Sequence, residues 1–263
     1  MEVHHHPDID HKRKKFKEYF LEFLMIFLAV TLGFFAEGLR EHIGDREKEK
    51  QYIESLKEDL TEDTAAINQQ MKINAYNLTR IDSLDALLLF DSLNQESILR
   101  AYKLFAYTAD EEDVNFNDRT YLQLQSTGSI RLIKFPEIVN SIINYQRGIK
   151  NCRDQAAYYT KSSGDLLTES KNVFKAENIF RFRKAIVTYS DTGVSFNRYS
   201  ADVFDSLAQK TKFTFTSTDK KVFSSYCFML DTYAMVVVAY MQMIKHQKKL
   251  AVNLLDLLHK KYD

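Results

Sequence analysis

Residues 20–39 read FLEFLMIFLAVTLGFFAEGL, an apolar stretch that carries the acidic residue Glu22 near its start. Residues 23–36 contain no charged side chain and would form about 21 Å of α-helix. The wider interval between Lys17 and Glu37 would span about 28 Å, close to the roughly 30 Å hydrocarbon core of a bilayer. This stretch therefore predicts a transmembrane helix over residues 18–40, with the lipid bilayer as its partner.

A cleaved signal peptide and a buried core helix are the two alternatives to a retained anchor. No small-x-small cleavage site precedes a break in the pattern, which continues as a helix through Glu37 and Arg40. A core helix is rarely flanked by a basic run such as HKRKK at residues 11–15. We therefore favour an anchor that stays in the membrane.

The cations on the two sides of the predicted span favour one orientation. Five Lys and Arg residues lie within residues 12–17, whereas four lie within residues 40–50, interleaved with acids. The positive-inside rule counts only Lys and Arg, so the excess is small. It predicts a single-pass protein with a cytoplasmic N-terminus, and residues after 40 in the periplasm if the cell has two membranes.

One face of the predicted span combines small residues with an acid: Glu22, Ala29, Gly33 and Ala36. Small residues four apart let a second helix approach closely. A hydrogen bond to that helix would offset part of the cost of placing the Glu22 carboxyl group in hydrocarbon. We expect a helix–helix contact here, either in a homo-oligomer or with another membrane protein. The alternative, in which Glu22 simply reaches the headgroups, remains open.

The composition excludes several classes of fold and partner. Two prolines and seven glycines in 263 residues are too few for the frequent turns of a β-sandwich. Lys plus Arg equals Asp plus Glu, at 36 each, so net charge predicts no nucleic-acid partner. The predicted fold is all-α, with the transmembrane helix followed by an antiparallel helical bundle of long helices over residues 41–263.

Histidines and cysteines give no predicted metal site. Residues 1–17 are expected to form a disordered basic and histidine-rich tail, whose adjacent histidines would bind metal weakly and without specificity. Cys152 and Cys227 match no zinc-binding spacing. Two buried thiols are the simpler expectation for them, and a disulfide between neighbouring helices is the alternative.

An amphipathic helix is predicted after the span, with apolar residues three, four and seven apart at Ile53, Leu56, Leu60, Ile67, Met71, Leu78, Ile81, Leu84 and Leu88. Four polar residues fall on or near this apolar seam: Asp63, Gln70, Asn74 and Asn77. A coiled-coil dimer would tolerate them poorly, so packing inside a bundle is the preferred interpretation.

Further helices are predicted along the chain. They cover residues 95–107, the stretch ending near Gln125, residues 136–174, 177–187 and 200–209, and a long helix capped by Thr218 or Asp219. A solvated loop at residues 109–118 is expected to end in an N-cap at Asn117 or Asp118. The last helix is interrupted by Asp231, which makes its apolar run too short for a bilayer and predicts a core helix. Its four methionines, at 229, 235, 241 and 243, are expected to fill the core.

No motif points to catalysis or to a cofactor. The chain lacks a glycine-rich phosphate loop, HExxH, a nucleophile elbow and CxxC. Arg119 and Arg131, on the two sides of the turn at residues 126–128, are the candidates for binding an anion or other ligand. Structural pairing with acids is the other interpretation of these arginines. We predict no enzyme, no catalytic residue and no cofactor.

Two stretches carry a resemblance: KKFKEYFLEFLMIFLAVTLGFFAEGLREH with EKEKQYIESLKEDL, and DRTYLQLQSTGSIRLIKFPEIVNSIINY. They resemble an uncharacterised family of bacterial single-pass membrane proteins, over roughly residues 17–145. The resemblance implies a helical protein of the inner membrane of a Gram-negative bacterium. It transfers no catalytic residue.

These observations favour a protein that acts by contact, as a scaffold or accessory subunit of a cell-envelope complex. The alternative is a ligand-sensing extracytoplasmic domain that signals through a membrane partner. A polar pocket near Arg119 and Arg131 would favour the sensor, whereas a closed core would favour the scaffold.

Overall fold

The computed structural model describes residues 16–108, 113–190, 193–196 and 212–263. Most of the predicted tail, part of the acidic loop and the predicted helix at 200–209 lie outside these residues. The elements are α1 (Phe16–Phe90), α2 (Gln95–Thr108), α3 (Arg119–Ser126), a 3₁₀ helix (Ser129–Leu132), α4 (Pro136–Ser170), α5 (Ala176–Ile186), β1 (Val187–Ser190), β2 (Gly193–Phe196) and α6 (Lys220–Tyr262). The predicted all-α class is confirmed, because β1 and β2 form only a short antiparallel hairpin.

The chain divides into two units, Met1–Tyr52 and Ile53–Asp263. In the first unit, the described residues form the N-terminal part of α1. The second unit contains the rest of α1 and every later element.

In the second unit, α4 and α6 pack side by side in opposite directions. Lys261, near the end of α6, lies 2.7 Å from Glu137 at the start of α4. Further along both helices, the ring of Tyr159 stacks on Tyr233 and Tyr240, with centroids 5.6 and 5.5 Å apart. The predicted antiparallel packing of long helices is thus confirmed for this pair.

The second-unit part of α1 also runs antiparallel to α6. The Lys57 amino group lies 2.6 Å from the Asp263 carboxylate at one end. At the other end, the Asp85 carboxyl group of α1 lies beside the Cys227 thiol of α6, and each group influences the pKa of the other. Because α4 also packs on α6, the bundle consists of three long helices, α1, α4 and α6.

The predicted apolar faces are the faces that the bundle buries. On α4, all seven predicted positions are buried, namely Ile138, Ile142, Tyr145, Ile149, Cys152, Ala156 and Tyr159. On α1, seven of the nine are buried, and the other two, Met71 and Leu78, are partly exposed. The polar residues of the α1 seam are buried as well: Asp63, Gln70, Asn74 and Asn77. This supports bundle packing over an exposed coiled-coil seam.

Close approach of α4 and α6 depends on one glycine. The Gln247 side chain of α6 is buried, and its amide nitrogen donates a 2.9 Å hydrogen bond to the Tyr145 carbonyl oxygen. A Cβ atom on Gly148 would lie only 1.9 Å from Gln247 Oε1. Glycine at 148 therefore provides the space that the Gln247 amide occupies.

An aromatic cluster joins α2 to the segment after α4. The Tyr102 ring packs on Phe174, Phe213 and Phe215, with centroids 5.0–6.0 Å apart. Its hydroxyl donates to the Thr214 carbonyl oxygen and accepts from the Lys175 amide. Phe174 and Phe215 form an isolated β-bridge. Because Phe174 joins this cluster, α4 ends at Ser170, four residues before its predicted end.

The ends of the other helices follow the sequence signals with one difference. Pro136 begins α4, and the Asp219 side chain caps α6 by accepting from the Lys221 amide, as predicted. Asp118 occupies the N-cap position of α3, but its side chain makes no capping hydrogen bond and binds Arg153 instead. The chain turns at Gly128 with a φ of 66°, a conformation that favours glycine.

The expectation that the α6 methionines fill the core is wrong for two of them. Met235 and Met243 are 69% and 36% exposed, whereas Met229 and Met241 are partly buried. The buried face of α6 consists of other residues, including Tyr233, Val237 and Tyr240.

Candidate functional site

Residues 23–36 of α1 carry no charged side chain, and all of them are exposed except Leu24 and Thr31, which are partly exposed. Fifteen large apolar side chains between Phe16 and Ile43 are exposed, among them Phe34 and Phe35 at 77% and 73%. In the most apolar stretch of 18 residues in α1, no residue is buried within the described structure. The Thr31 hydroxyl donates a 2.7 Å hydrogen bond to the Phe27 carbonyl oxygen of the preceding turn.

Within the part of the chain that the structure describes, two helices are long and apolar enough to cross a membrane, judged by length and composition alone: α1 and α6. By length and composition α6 could therefore cross a membrane even though Asp231 interrupts its apolar run, and the expectation that it is a core helix stays a prediction. Burial separates the two helices, since 39% of the α6 window is buried compared with 0% for α1. The buried face of α6 is what a core helix requires.

The four residues of the predicted membrane contact, Glu22, Ala29, Gly33 and Ala36, are all exposed. A Cβ atom at Gly33 would meet no other atom within 4 Å, so the groove beside it is open. The helix–helix contact through these residues stays a prediction.

The second unit contains a buried pair of carboxylates, Asp59 and Asp63, one turn apart on α1 and 3% and 0% exposed. Asp63 accepts hydrogen bonds from the Tyr145 hydroxyl at 2.6 Å and from the Asn117 amide at 2.8 Å. Asp59 accepts from the Thr120 amide at 3.2 Å. We call these two residues with their partners the carboxylate node.

The carboxylate node caps the N-terminus of α3, because the N-cap residue of that helix makes no capping hydrogen bond itself. The first turn of a helix leaves backbone N–H groups without partners, and carboxylates there are favoured by the helix dipole. Asp59 satisfies one of these groups from a different helix, α1. The amphipathic spacing of α1 did not reveal that Asp59 caps α3. The sequence feature that could have indicated it is a pair of acids four residues apart on an otherwise apolar face, between Leu56 and Ile67.

Burial also changes the ionisation of the node. Desolvation raises the pKa of Asp63, and the hydrogen bonds from Tyr145 and Asn117 oppose that change. Desolvation, together with the Asp63 charge, raises the pKa of the Tyr145 hydroxyl. The Tyr145 phenol therefore stays protonated and acts as a hydrogen-bond donor.

Arg119 and Arg131 lie in different surroundings within the described residues. The Arg119 guanidinium lies 3.2 Å from Asp59 and its side chain is 76% exposed. Arg131 is exposed on the 3₁₀ helix. Cavities of about 450 and 750 Å³ lie near the C-terminal end of α4 and are lined by neither arginine. Ligand binding by this pair stays a prediction.

A second interior polar contact joins Asp85 of α1 to Cys227 of α6. Burial raises the pKa of the Asp85 carboxyl group to about 6, and the hydrogen bond from the Cys227 thiol opposes that shift. Asp85 Oδ1 is buried without a hydrogen-bond partner among the described residues. Burial and the Asp85 carboxylate raise the pKa of Cys227.

Cys152 and Cys227 are both buried free thiols. Burial raises the pKa of Cys152 to about 11. Such thiols are poor nucleophiles at neutral pH, because the thiolate is the reactive form.

Among the residues that the structure describes, no group of three or more His, Cys, Asp or Glu side chains is arranged to hold a metal ion. The tail histidines lie outside those residues. No family model, curated protein or solved structure matches this chain. The family resemblance noted from the sequence therefore stays a prediction, and the function must be inferred from the exposed apolar helix and the carboxylate node.

Proposed function

We propose that this chain is a non-enzymatic, membrane-anchored helical protein that acts as a scaffold or accessory subunit of a cell-envelope complex. The observation that carries the proposal is the exposed apolar part of α1. Fifteen large apolar side chains there face outward, and the second unit has a separate, well-filled core.

The energetic argument concerns the surroundings of α1. Each large apolar side chain gains about 1.5–3 kcal/mol on leaving water, so fifteen of them represent tens of kcal/mol. Soluble monomers rarely expose contiguous apolar patches larger than a few hundred Å². A helix that is apolar on every side is favoured where lipid surrounds it. The bilayer is therefore the proposed partner of this segment.

The location is proposed from the flanking charges and the sequence resemblance. The excess of cations before the span supports a cytoplasmic N-terminus. The bundle would then lie on the far side, in the periplasm of a Gram-negative bacterium. A single pass follows if only α1 enters the lipid, which the buried face of α6 supports.

A contact function is supported by the use of the interior polar groups. Asp59 and Asp63 accept hydrogen bonds from backbone amides of their own chain. Asp63 also holds the Tyr145 hydroxyl on α4. Groups engaged in this way stabilise the bundle and are not presented to a substrate.

The membrane contact is proposed to involve the face that includes Glu22 and Gly33. Disulfide crosslinking in native membranes tests it, with Gly33→Cys compared with Phe27→Cys on the bulky side. We expect Gly33→Cys to crosslink with a second copy or a membrane partner more efficiently. Equal crosslinking of the two variants would refute the contact.

Membrane extraction tests the anchor itself. The full-length protein should stay in the membrane pellet after carbonate washing and should float with vesicles of neutral lipid. Replacing Leu24, Phe27 and Leu28 by Arg should release it, because each Arg at the centre of a span costs about 2.5–3.5 kcal/mol.

The matched control places three Arg residues at exposed positions of the bundle instead of Asn144, Asn151 and Ala157. This control should stay with the membrane. A wild-type protein that carbonate removes, and that remains soluble without detergent, would refute the anchor.

A further inference from the structure

A cavity of about 450 Å³ lies at the end of the second unit where α4 ends and α6 begins. Three stretches of the chain form its walls: the end of α4 with the turn after it, residues 216–217, and the first three turns of α6. The volume falls within the range of about 300–1,000 Å³ that is usual for small-molecule sites. The cavity is therefore large enough for a small ligand.

The cavity lies far from the point at which the chain enters the second unit. The chain enters at Ile53, and the nearby Lys57 contacts Asp263 at the end of α6. The cavity is beside the start of α6, so about 55 Å of helix separates it from the entry point. A ligand therefore reaches the cavity from water, whether or not the first unit lies in a bilayer.

Three contacts hold the walls of the cavity in place. The Thr216 amide donates a 2.8 Å hydrogen bond to the Val173 carbonyl oxygen, and Phe174 and Phe215 form a β-bridge beside it. The Asp219 side chain caps α6 at the same end. A site whose walls are fixed before binding loses less conformational entropy when its ligand binds.

Two side chains of opposite charge line the cavity, Glu169 near the end of α4 and Lys221 in the first turn of α6. Within the described part of the chain, neither forms an ion pair, so they do not neutralise each other. Glu169 Oε2 accepts a 2.8 Å hydrogen bond from the Asn172 side-chain amide, which leaves Oε1 to accept another. The nearby acid Asp219 accepts from the Lys221 backbone amide and does not line the cavity.

Neutral side chains complete the walls. Asn172, Ser217 and Ser225 bring amide and hydroxyl groups, and Val222 and Met229 bring apolar surface. Small-molecule sites combine apolar walls with a few polar groups that fix the orientation of the ligand. The complementary ligand therefore carries both a positive and a negative group, together with an apolar part.

We propose that this cavity binds a free α-amino acid with an apolar side chain. The Glu169 carboxylate binds the ammonium group of the ligand, the Lys221 amino group binds its carboxylate, and its side chain packs on Met229. Hydrogen bonds between oppositely charged groups are stronger than neutral ones, so this pair selects a zwitterion. A simple anion or cation would satisfy one of the two side chains and be repelled by the other. The inference goes beyond the proposed function and does not depend on the α1 anchor.

Isothermal titration calorimetry of the detergent-solubilised full chain tests the site, with each standard L-amino acid as the probe in turn. We expect saturable binding of at least one amino acid that has an apolar side chain. Its N-acetyl derivative lacks the ammonium group, and its amide derivative lacks the carboxylate. Each derivative should bind about tenfold more weakly than the parent amino acid, because one charged hydrogen bond is lost.

Charge variants test the two side chains. Glu169→Gln and Lys221→Gln should each weaken binding by about tenfold. The matched controls are Asp165→Asn and Lys220→Gln, which remove exposed charges within one turn of these residues that do not line the cavity. Both controls should keep the affinity of the wild type.

A steric pair of variants tests the cavity without changing any charge. Ser225→Phe places a ring in the cavity and should abolish binding. Ser224→Phe is the matched control, because Ser224 is exposed and does not line this cavity. Circular dichroism verifies that each variant folds. The comparison of the parent amino acid with its two derivatives uses the wild-type chain, so it tests the proposal even where a substitution unfolds the protein.

Three results would overturn the proposal. The first is the absence of saturable binding for every amino acid. The second is a derivative that binds as tightly as its parent, because one of the two charges would then be irrelevant. The third is binding that Ser225→Phe leaves unchanged or that the control variants lose equally, because the ligand would then bind elsewhere.

Discussion

Replacing Gly148 by Ala should destabilise the bundle, although alanine favours helices. The added Cβ atom would lie 1.9 Å from Gln247 Oε1 and 2.9 Å from Gln247 Cδ. The Gln247 side chain is 1% exposed and holds the Tyr145 carbonyl oxygen through its amide nitrogen. It therefore has to leave the position in which that hydrogen bond forms.

The expected magnitude combines three contributions. Alanine in place of glycine inside a helix gains about 1 kcal/mol. Crowding of a packed core costs about 1–3 kcal/mol. Loss of the Gln247–Tyr145 hydrogen bond costs about 0.5–1.5 kcal/mol more. This cost is larger if the Gln247 amide stays buried without a partner. The net result is a destabilisation of about 1–3 kcal/mol.

Gly164 of the same helix is the matched control, because a Cβ atom there meets nothing within 4 Å. Gly164→Ala should stabilise the protein by about 1 kcal/mol, which is the helix-propensity gain alone. Urea unfolding of the detergent-solubilised full chain, followed by circular dichroism, measures both changes.

A double-mutant cycle with Gln247→Ala isolates the contact. In that background the amide is absent, so Gly148→Ala should be neutral or stabilising, with a coupling free energy of about 2 kcal/mol. The reasoning is refuted if Gly148→Ala and Gly164→Ala have the same effect, or if the changes at Gly148 and Gln247 simply add.

Three further outcomes follow from the interior polar groups. Tyr145→Phe should lower the free energy of unfolding by about 1–3 kcal/mol, because the Asp63 carboxylate loses a donor while it stays buried; equal urea midpoints for variant and wild type would contradict this. Asp85 has its pKa raised from 3.8 to about 6, so the folded protein binds more protons than the unfolded chain between these values, and stability decreases as pH rises through that window. Asp85→Asn should therefore stabilise the protein by about 1–2 kcal/mol near pH 8 and hardly at all near pH 4, as thermal unfolding at the two pH values would show; an equal gain at both would exclude Asp85 as the cause. Thiol titration at neutral pH should label neither Cys152 nor Cys227 in the folded protein and both after denaturation, and rapid labelling of the folded protein would show that the helices do not shield them.

Periodicity alone predicted the buried faces of the long helices. The seven positions of α4 from Ile138 to Tyr159 are buried because a helix in a bundle covers one stripe, and the apolar residues repeat at the period of that stripe. Helix ends were predicted where the chemistry is local, as at Pro136 and Asp219. These features depend on residues within one or two turns of each other.

Features that depend on distant residues were not predictable in this way. The cap of α3 comes from Asp59, about 60 residues earlier in the chain, so the local signal at Asp118 pointed to the wrong side chain. Arg119 binds the same carboxylate, a pairing that the sequence left open. Apolar residues surround α6 on all sides, so the sequence does not show which of them are buried. Met235 is exposed because α1 and α4 pack on other sides of the helix.

The apolar part of α1 was evident from composition, since an uninterrupted apolar run needs no partner to be recognised.

The order of the three long helices along the chain has a consequence for synthesis. About 130 residues separate the end of α1 at Phe90 from the start of α6 at Lys220. At 5–20 residues per second, a ribosome needs roughly 6–26 s to make that interval. Throughout this time the nascent chain has to keep the seam of α1, with its buried acids and amides, away from lipid and from other proteins until α6 arrives to close it.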